Sequence, residues 1–201
     1  MAYLPVALLD GCTKFIETGT GPGEGVRRAL SAGVPVIHSI EIDDTLHRLA
    51  CDRFPGHPNL HIHCGSSPDV LREIITPQPG TVFFLDAHYS GGLWSNTIDQ
   101  RYGQCPLLAE LAVIRSFEWP EPPLIIVDDA GLFNPDRAQT SSPYDWTQWP
   151  TVDDIAQACE PWPVWVLGED SHDVNDDCQL IIGYERDDLA CLQEGSHESS
   201  D

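Results

Sequence analysis

The chain has 201 residues, of which 32 are acidic and 10 basic, so its formal net charge is −22. A surface this negative repels phosphate backbones, and we expect no nucleic-acid partner. No apolar run approaches the roughly 18 residues of a membrane span, and the apolar start lacks the basic region of a signal peptide. Seven scattered cysteines without a C-x-x-C pair are typical of reduced thiols. We therefore expect a cytoplasmic protein with no membrane partner.

Short apolar runs alternate with amphipathic stretches along the chain. Several runs are continuously apolar, such as 82–85 and 124–127, which is typical of strands buried on both faces of a parallel sheet. The predicted strands cover residues 14–18, 34–42, 60–64, 81–86, 124–128, 164–168 and 179–184. The predicted helices cover residues 24–32, 43–54, 66–75, 105–117 and 152–159.

The alternation of strands and helices predicts βαβ units and hence an α/β fold. Only residues 169–178 separate the last two strands, which is too short for a helical crossover. We therefore predict a Rossmann-like three-layer α/β/α sandwich, with a mostly parallel seven-stranded sheet and an antiparallel hairpin at one edge. This domain is predicted over residues 1–186, and residues 187–201 are predicted to form an acidic, disordered tail.

A glycine-rich turn joins the first predicted strand to the first helix. It has the pattern acid-x-Gly-x-Gly-x-Gly, with Glu17 as the acid and Gly19, Gly21 and Gly23 as the glycines. Glycines let a ligand approach bare backbone, and ligands of open α/β sheets bind at the carboxyl ends of the strands. The spacing does not fit the dinucleotide fingerprint G-x-G-x-x-G or a phosphate loop. The acids Glu17 and Glu24 also disfavour a bound pyrophosphate.

This pattern resembles the first motif of class I S-adenosylmethionine-dependent methyltransferases. The acid Glu41, at the end of the second predicted strand, matches a second feature of that family. The resemblance implies that Glu17 faces the cationic amino group of the cofactor and that Glu41 holds its ribose hydroxyls by charge-assisted hydrogen bonds. It implies further cofactor contacts at the strand ends, by Gly19, Thr20, Gly21, Gly23, Ile42, Gly65, Ser66 and Asp86.

Three aspartates follow the fourth and fifth predicted strands. Asp86 comes after one apolar run, and Asp128 and Asp129 come after the next. If these strands are neighbours, their ends lie about 5 Å apart and the carboxylates are within reach of one ion. Clustered carboxylates repel unless a cation lies between them, and hard oxygen ligands suit Mg²⁺. An aspartate after a strand often only closes a turn, so a structural role stays open.

The positions of Asp86, Asp128 and Asp129 resemble the metal ligands of metal-dependent small-molecule O-methyltransferases, including the macrocin-type sugar enzymes. That family has a second acid where this chain has His88. The segments 86–92 and 105–111 look closer to a bacterial branch of uncharacterised methyltransferase-like proteins. Asp86 and His88 are the predicted catalytic residues, and His88, two residues past Asp86, is either the base that takes the proton of the acceptor or a metal ligand.

These residues predict an S-adenosylmethionine-dependent methyltransferase that acts on an oxygen of a small polar acceptor, such as a sugar or another secondary metabolite. Assistance by Mg²⁺ stays open. A nicotinamide-dependent oxidoreductase and a non-catalytic cofactor-binding module on the same fold are the alternatives. A homo-oligomer is one option for the assembly.

Two further features have competing interpretations. His61 and His63 share one face of a predicted strand, and we interpret this stretch as structural because no zinc spacing follows it. The aromatic stretch 144–150, together with Trp94, is either a lid over the acceptor or a hydrophobic cluster under a loop.

Overall fold

A seven-stranded sheet forms the centre of the protein. The computed structural model describes residues 4–92, 96–134, 143–167, 178–185 and 187. The strands are β1 (Lys14–Thr18), β2 (Ile37–Glu41), β3 (Leu60–Cys64), β4 (Thr81–Leu85), β5 (Leu124–Val127), β6 (Val164–Leu167) and β7 (Gln179–Ile182). Their order across the sheet is β3-β2-β1-β4-β5-β7-β6. Strands β1 to β5 are parallel, and β7 runs antiparallel to both β5 and β6.

The helices follow the strands as crossover connections. They are α1 (Glu24–Ser31), α2 (Asp44–Arg53), α3 (Ser67–Ile74), α4 (Leu107–Arg115) and α5 (Val152–Cys159). Asp43 caps α2, because its Oδ1 accepts hydrogen bonds from the amides of Thr45 and Leu46 at 2.8 and 3.1 Å. At the start of α5, Thr151 and Asp154 form a reciprocal capping box.

Two apolar clusters lie on opposite faces of the sheet. Successive residues of a strand point to opposite faces, so Phe15 and Phe84 belong to one cluster while Ile16 and Phe83 belong to the other. Helix α1 and the N-terminal 3-10 helix Val6–Leu9 pack on the first face, and α3, α4 and α5 pack on the second. The arrangement is therefore a three-layer α/β/α sandwich, and the fold predicted from the sequence is confirmed.

The predicted elements are all present. Strands β1 and β3 and helix α5 have the predicted bounds, and the ends of most of the others lie a few residues further inward. Strand β2 begins at Ile37 rather than at residue 34, because the amide of Val34 donates to the carbonyl of Ala29 and so closes the end of α1. Helix α4 begins at Leu107, with Pro106 as its N-cap. The antiparallel pair at the sheet edge is confirmed.

Parts of three predictions lie outside the described residues. These are the end of the sixth predicted strand at Gly168, Trp94 in the loop after β4, and residues 188–201 of the predicted tail. The division into a domain and a tail therefore stays a prediction. Within the ranges given above, no helix is both long and apolar enough to cross a membrane.

Candidate functional site

A cleft of about 330 Å³ opens at the carboxyl ends of the parallel strands. This is the edge at which open α/β sheets bind ligands, and the volume lies in the range of small-molecule sites. Most residues predicted from the sequence line it: Glu17, Gly19, Thr20, Gly21, Glu41, Ile42, Gly65, Asp86, His88, Asp128 and Asp129. Gly23 and Ser66 are not among its described lining residues. Gly23 faces the ring of Phe54 instead.

Close backbone approach explains the glycines of the turn after β1. A Cβ on Gly19, whose φ is +80°, would lie 2.2 Å from the carbonyl oxygen of Asp86. A Cβ on Gly25, in the first turn of α1, would lie 1.9 Å from Glu17 Oε1. Neither distance is possible for a real side chain, so only glycine lets the turn contact β4 and lets α1 contact the acid of β1.

Glu17 is a buried acid on the floor of the cleft, with 1% of its surface exposed. Glu17 and Ser39 are register partners on β1 and β2, and the Ser39 hydroxyl donates to Glu17 Oε2 at 2.5 Å. Ser39 Oγ also lies 2.6 Å from Thr20 Oγ1. Burial raises the pKa of Glu17 to about 8, the Ser39 bond opposes this, and the charge of Glu41 adds to it. A cation bound beside Glu17 would favour its ionised form.

Glu41 is held rigidly at the side of the same cleft. Its Oε2 accepts a hydrogen bond from the amide of Gly21 at 2.8 Å, and its Oε1 accepts one from the amide of Asp43 at 2.9 Å. Burial raises the pKa of Glu41, and these two amide bonds oppose the rise. Each carboxylate oxygen can accept a further hydrogen bond, so the group can also receive hydroxyls of a ligand.

Asp86, His88 and Asp129 form the acidic end of the cleft. His88 Nε2 lies 3.0 Å from Asp129 Oδ2, and His88 Nδ1 lies 3.7 Å from Asp86 Oδ1. The ligand atoms of these three residues all lie within 4.8 Å of one another. Asp129 adopts a left-handed conformation with φ of 52°, which costs an L-residue energy and is often found at functional sites.

Asp128 also lines the cleft, and its side chain contacts β7. It is 3% exposed, and its Oδ1 accepts a hydrogen bond from Gln179 Nε2 at 3.2 Å. Burial and the neighbouring Asp129 raise its pKa to about 6. Burial, followed by the charges of Asp128, Asp129 and Glu17, raises the pKa of Asp86 well above its ordinary value. The crowded carboxyls therefore favour either protons or a cation in the cleft.

Comparisons with known proteins add evidence on the fold. No family model and no curated protein matches the sequence. Among solved structures, the O-methyltransferase TomG from Streptomyces achromogenes, involved in tomaymycin synthesis and in complex with S-adenosylmethionine, superposes with a TM-score of 0.57 at 16% identity. The alignment covers 90% of this chain and 77% of TomG.

An O-methyltransferase from Bacillus cereus, in complex with S-adenosylhomocysteine, gives a TM-score of 0.54 at 16% identity, over 89% of this chain and 77% of that one. The chain has the class I methyltransferase fold. Spermidine synthase from Thermotoga maritima also superposes, with a TM-score of 0.53 at 12% identity, over 90% of this chain but only 56% of its own. The methyltransferase fold therefore hosts more than one activity, and the macrocin-type resemblance stays a prediction.

The aromatic stretch 144–150, which follows β5, contacts two different parts of the methyltransferase fold. Tyr144 lines the cleft, and its ring packs edge-on against Tyr89 with 6.1 Å between ring centroids. Trp149 is 8% exposed and belongs to the core, where its ring packs against that of His88 with 5.4 Å between the ring centroids. One end of the stretch thus meets the candidate acceptor space, and the other end packs as a hydrophobic cluster.

Two buried polar residues of the methyltransferase fold, Ser39 and Glu110, were not identified from the sequence. Ser39, on the adjacent strand, donates a hydrogen bond to Glu17. Ser39 lies two residues before Glu41, so the two side chains share one face of β2, and this spacing could have identified Ser39 from the sequence. Glu110, on α4, is 1% exposed and accepts a hydrogen bond from the Ser67 hydroxyl. Burial raises the pKa of Glu110 to about 7. Its position within an otherwise apolar stripe of α4 could have identified Glu110 from the sequence.

Proposed function

We propose that the protein is an S-adenosylmethionine-dependent methyltransferase that modifies an oxygen of a small polar acceptor, such as a sugar or another secondary metabolite. The observation that carries the proposal is a buried acid, Glu17, placed at the floor of a cleft between a glycine turn and a second acid, Glu41. A carboxyl in that position needs a cationic ligand to be ionised. The methyltransferase fold and its cofactor-bound neighbours support the same cofactor.

The residues of the cleft fit this cofactor at both of its polar ends. Glu17 supplies an acceptor for the cationic amino group, and Glu41 supplies acceptors for the ribose hydroxyls. Gly19 and Gly21 present bare backbone between the two acids. Ile42 and Gly65 lie at the neighbouring strand ends, where they line the far part of the cleft. When bound, the cofactor supplies an activated methyl group on a sulfonium.

His88 is placed for the proton chemistry of the acceptor. A hydroxyl is a poor nucleophile until it loses its proton, and a positioned base or a bound cation promotes that loss. His88 is held between Asp86 and Asp129, and these two carboxyl groups orient its ring for that proton transfer. Tyr89 and Tyr144 border the same end of the cleft and offer ring faces to a small acceptor.

Isothermal titration with S-adenosylmethionine and S-adenosylhomocysteine tests the cofactor. We expect both to bind, and Gly25→Ala to weaken binding at least about tenfold, because its Cβ displaces the Glu17 carboxylate from its bonds. Ser31→Ala is the control, since it introduces alanine at an exposed position of the same helix, outside the described lining of the cleft. Absence of binding at millimolar ligand, or binding of NADH instead, would overturn the proposal and favour an oxidoreductase.

Turnover separates an enzyme from a binding module. Cofactor binding without release of S-adenosylhomocysteine, across a broad panel of hydroxyl acceptors, would favour a non-catalytic module on this fold. We expect release with at least one small polar acceptor. His88→Ala should then slow release without loss of cofactor affinity, because His88 lies at the acceptor end and contacts Asp129 rather than Glu17 or Glu41.

A divalent cation held by Asp86 and Asp129, with His88 beside them, is the finer part of the proposal. Carboxylate oxygens suit both Mg²⁺ and Mn²⁺. We expect either ion to raise the unfolding temperature of the native chain and to have no effect on Asp86→Asn. Asp52→Asn, at an exposed site on α2, should respond like the native chain. Equal shifts in all three proteins would refute the assignment.

A further inference from the structure

A second group of ligand-type side chains lies on helix α2 and at the end of β3. Asp44, His47 and Cys51 follow one another at spacings of three and four residues, which places them on one face of α2. Cys64 is the last residue of β3. Ligand atoms of Asp44, His47 and Cys64 all lie within 4.8 Å of one another. Cys51 Sγ lies 3.6 Å from His47 Nε2, so a second thiol borders the same histidine.

The two thiols of this group differ from the other described cysteines by their exposure. Cys51 and Cys64 are exposed. The others are buried: Cys12, Cys105, Cys159 and Cys178. A buried cysteine fills space as a small apolar side chain, and its position needs no ligand to explain it. Exposed thiols have no such packing role, so their convergence on one histidine and one carboxylate calls for a chemical explanation.

Two separations within the group are close to those of tetrahedral coordination, and Cys51, which contacts His47 but lies outside the set of atoms mutually within 4.8 Å, would complete the site by turning its side chain toward the ion. With zinc–sulfur bonds of about 2.3 Å and zinc–nitrogen or zinc–oxygen bonds of about 2.0 Å, a sulfur and a lighter ligand atom lie about 3.5 Å apart. Cys51 Sγ and His47 Nε2 are separated by 3.6 Å, and Cys64 Sγ and Asp44 Oδ1 by 3.9 Å. The contact of His47 Nε2 with the Ile62 carbonyl is 3.3 Å, longer than a strong hydrogen bond.

The charges around Asp44 leave one oxygen for a cation. The guanidinium of Arg48 binds Asp44 Oδ2, so Oδ1 is the oxygen that meets Cys64 Sγ. The donors are two sulfurs, one imidazole nitrogen and one carboxylate oxygen. Sulfur and imidazole donors select zinc and similar transition metals, whereas Mg²⁺ and Ca²⁺ require oxygen.

The group is separate from the cleft but shares its wall. The four side chains lie outside the described lining of the cleft, whereas Leu46 and Gly65, their neighbours in sequence, line it. Cys64 is also the register partner of Glu41 on β2. An ion bound to the group would therefore join α2 to β3 next to the strand end that carries Glu41.

We propose that Asp44, His47, Cys51 and Cys64 form a surface site for a transition-metal ion of the zinc class. Two thiol protons pass to solvent as the two sulfur–metal bonds form, and no oxidant is required. Because the ligands come from two elements that converge only in the folded chain, the bound ion stabilises the folded state.

Cobalt spectroscopy on the reduced full-length protein tests the site. Cobalt(II) replaces zinc, and a tetrahedral site with thiolates gives a near-ultraviolet charge-transfer band and intense visible bands. We expect saturation at one ion per chain and displacement of the bands by zinc. A reduced protein that gives no thiolate band at saturating cobalt would overturn the proposal.

Single substitutions identify the ligands. We expect Cys64→Ser and His47→Gln to weaken zinc affinity, measured against a chromophoric chelator, by more than the roughly 10- to 100-fold typical of losing an outer-sphere partner. Cys51→Ser should remove about half of the charge-transfer intensity, one of two thiolates. An unchanged band in Cys64→Ser or in Cys51→Ser would refute the corresponding ligand.

Matched controls keep this site distinct from the cleft and from other thiols. His57→Gln alters an exposed histidine just beyond α2, and Cys191→Ser removes a thiol near the C-terminus. Asp86→Asn alters the acidic group of the cleft. We expect all three to keep the cobalt bands and the zinc affinity of the native chain. Loss of the bands in Asp86→Asn alone would place the cobalt in the cleft and contradict the proposal.

Discussion

The Glu17 carboxyl combines two properties that rarely occur together, near-complete burial and the absence of a cationic partner in its hydrogen bonds. Among the described residues its hydrogen-bond partner is the neutral Ser39 hydroxyl, and the charge that raises its pKa further is that of another acid, Glu41. Such a group is costly as an anion, so the free protein favours its protonated form up to about pH 8. This side chain therefore links the ligand chemistry of the cleft to the stability of the fold.

The pKa of Glu17 predicts how stability changes with pH. A carboxyl whose pKa rises on folding holds a proton that the unfolded chain releases, so its contribution to stability falls as pH rises from about 4.5 to about 8. Glu17→Gln removes this titration. We expect the variant to gain stability relative to the native chain between pH 5 and pH 8, by up to on the order of 4 kcal/mol.

Thermal unfolding of the ligand-free protein across this pH range measures the effect. Glu118→Gln, at an exposed site, is the control and should track the native chain at every pH. A constant difference in unfolding temperature between Glu17→Gln and the native chain would contradict a raised pKa at Glu17.

At the same scale, the sequence predicts which residues meet in the cleft better than how they pair. Glu17 and Glu41 could be placed in one crevice because each ends a strand and the strands are parallel. The contact of His88 with Asp129 joins residues far apart in sequence, and it depends on the left-handed backbone of Asp129. The turning of Asp128 toward Gln179 depends on where β7 lies. No local pattern encodes either contact.

At the scale of elements, the strands were predictable because their signals are strong and local. Strands β4 and β5 are buried along their whole length, and their sequences are nearly continuous apolar runs between turn residues. The helices were predictable from their caps and apolar stripes. The ends were less so, since the amide of Val34 is taken by the preceding helix and not by the sheet.

The order of the last two strands is the element-level feature that the sequence left open. A hairpin of 164–168 with 179–184 could pair with β5 through either of its strands. In the structure β7 pairs with β5, and β6 forms the edge. Strand β7 is buried throughout, whereas β6 is only half-buried. Both segments are apolar, so the choice is made by packing against the sheet and not by pattern.

At the scale of the whole molecule, a net charge of −22 acts on stability. Like charges repel in the compact state, and salt screens them, with a screening length that falls from about 10 Å at 0.1 M to about 3 Å at 1 M. We expect the urea midpoint at pH 7 to rise over this range of NaCl. Near pH 4, where carboxylates take up protons, the rise should shrink. A midpoint that falls with NaCl at pH 7 would contradict dominant self-repulsion.

Strand β1 has β2 on one side and β4 on the other, and this placement gives the cleft two walls from different parts of the chain. The wall that contains Glu17 and Glu41 comes from residues before 76, and the wall that contains Asp86, His88 and Tyr144 comes from residues after 80. The two halves meet where β1 pairs with β4 and where α3 packs against α4. A substitution in one half therefore changes its own wall of the cleft directly and acts on the opposite wall through these two contacts.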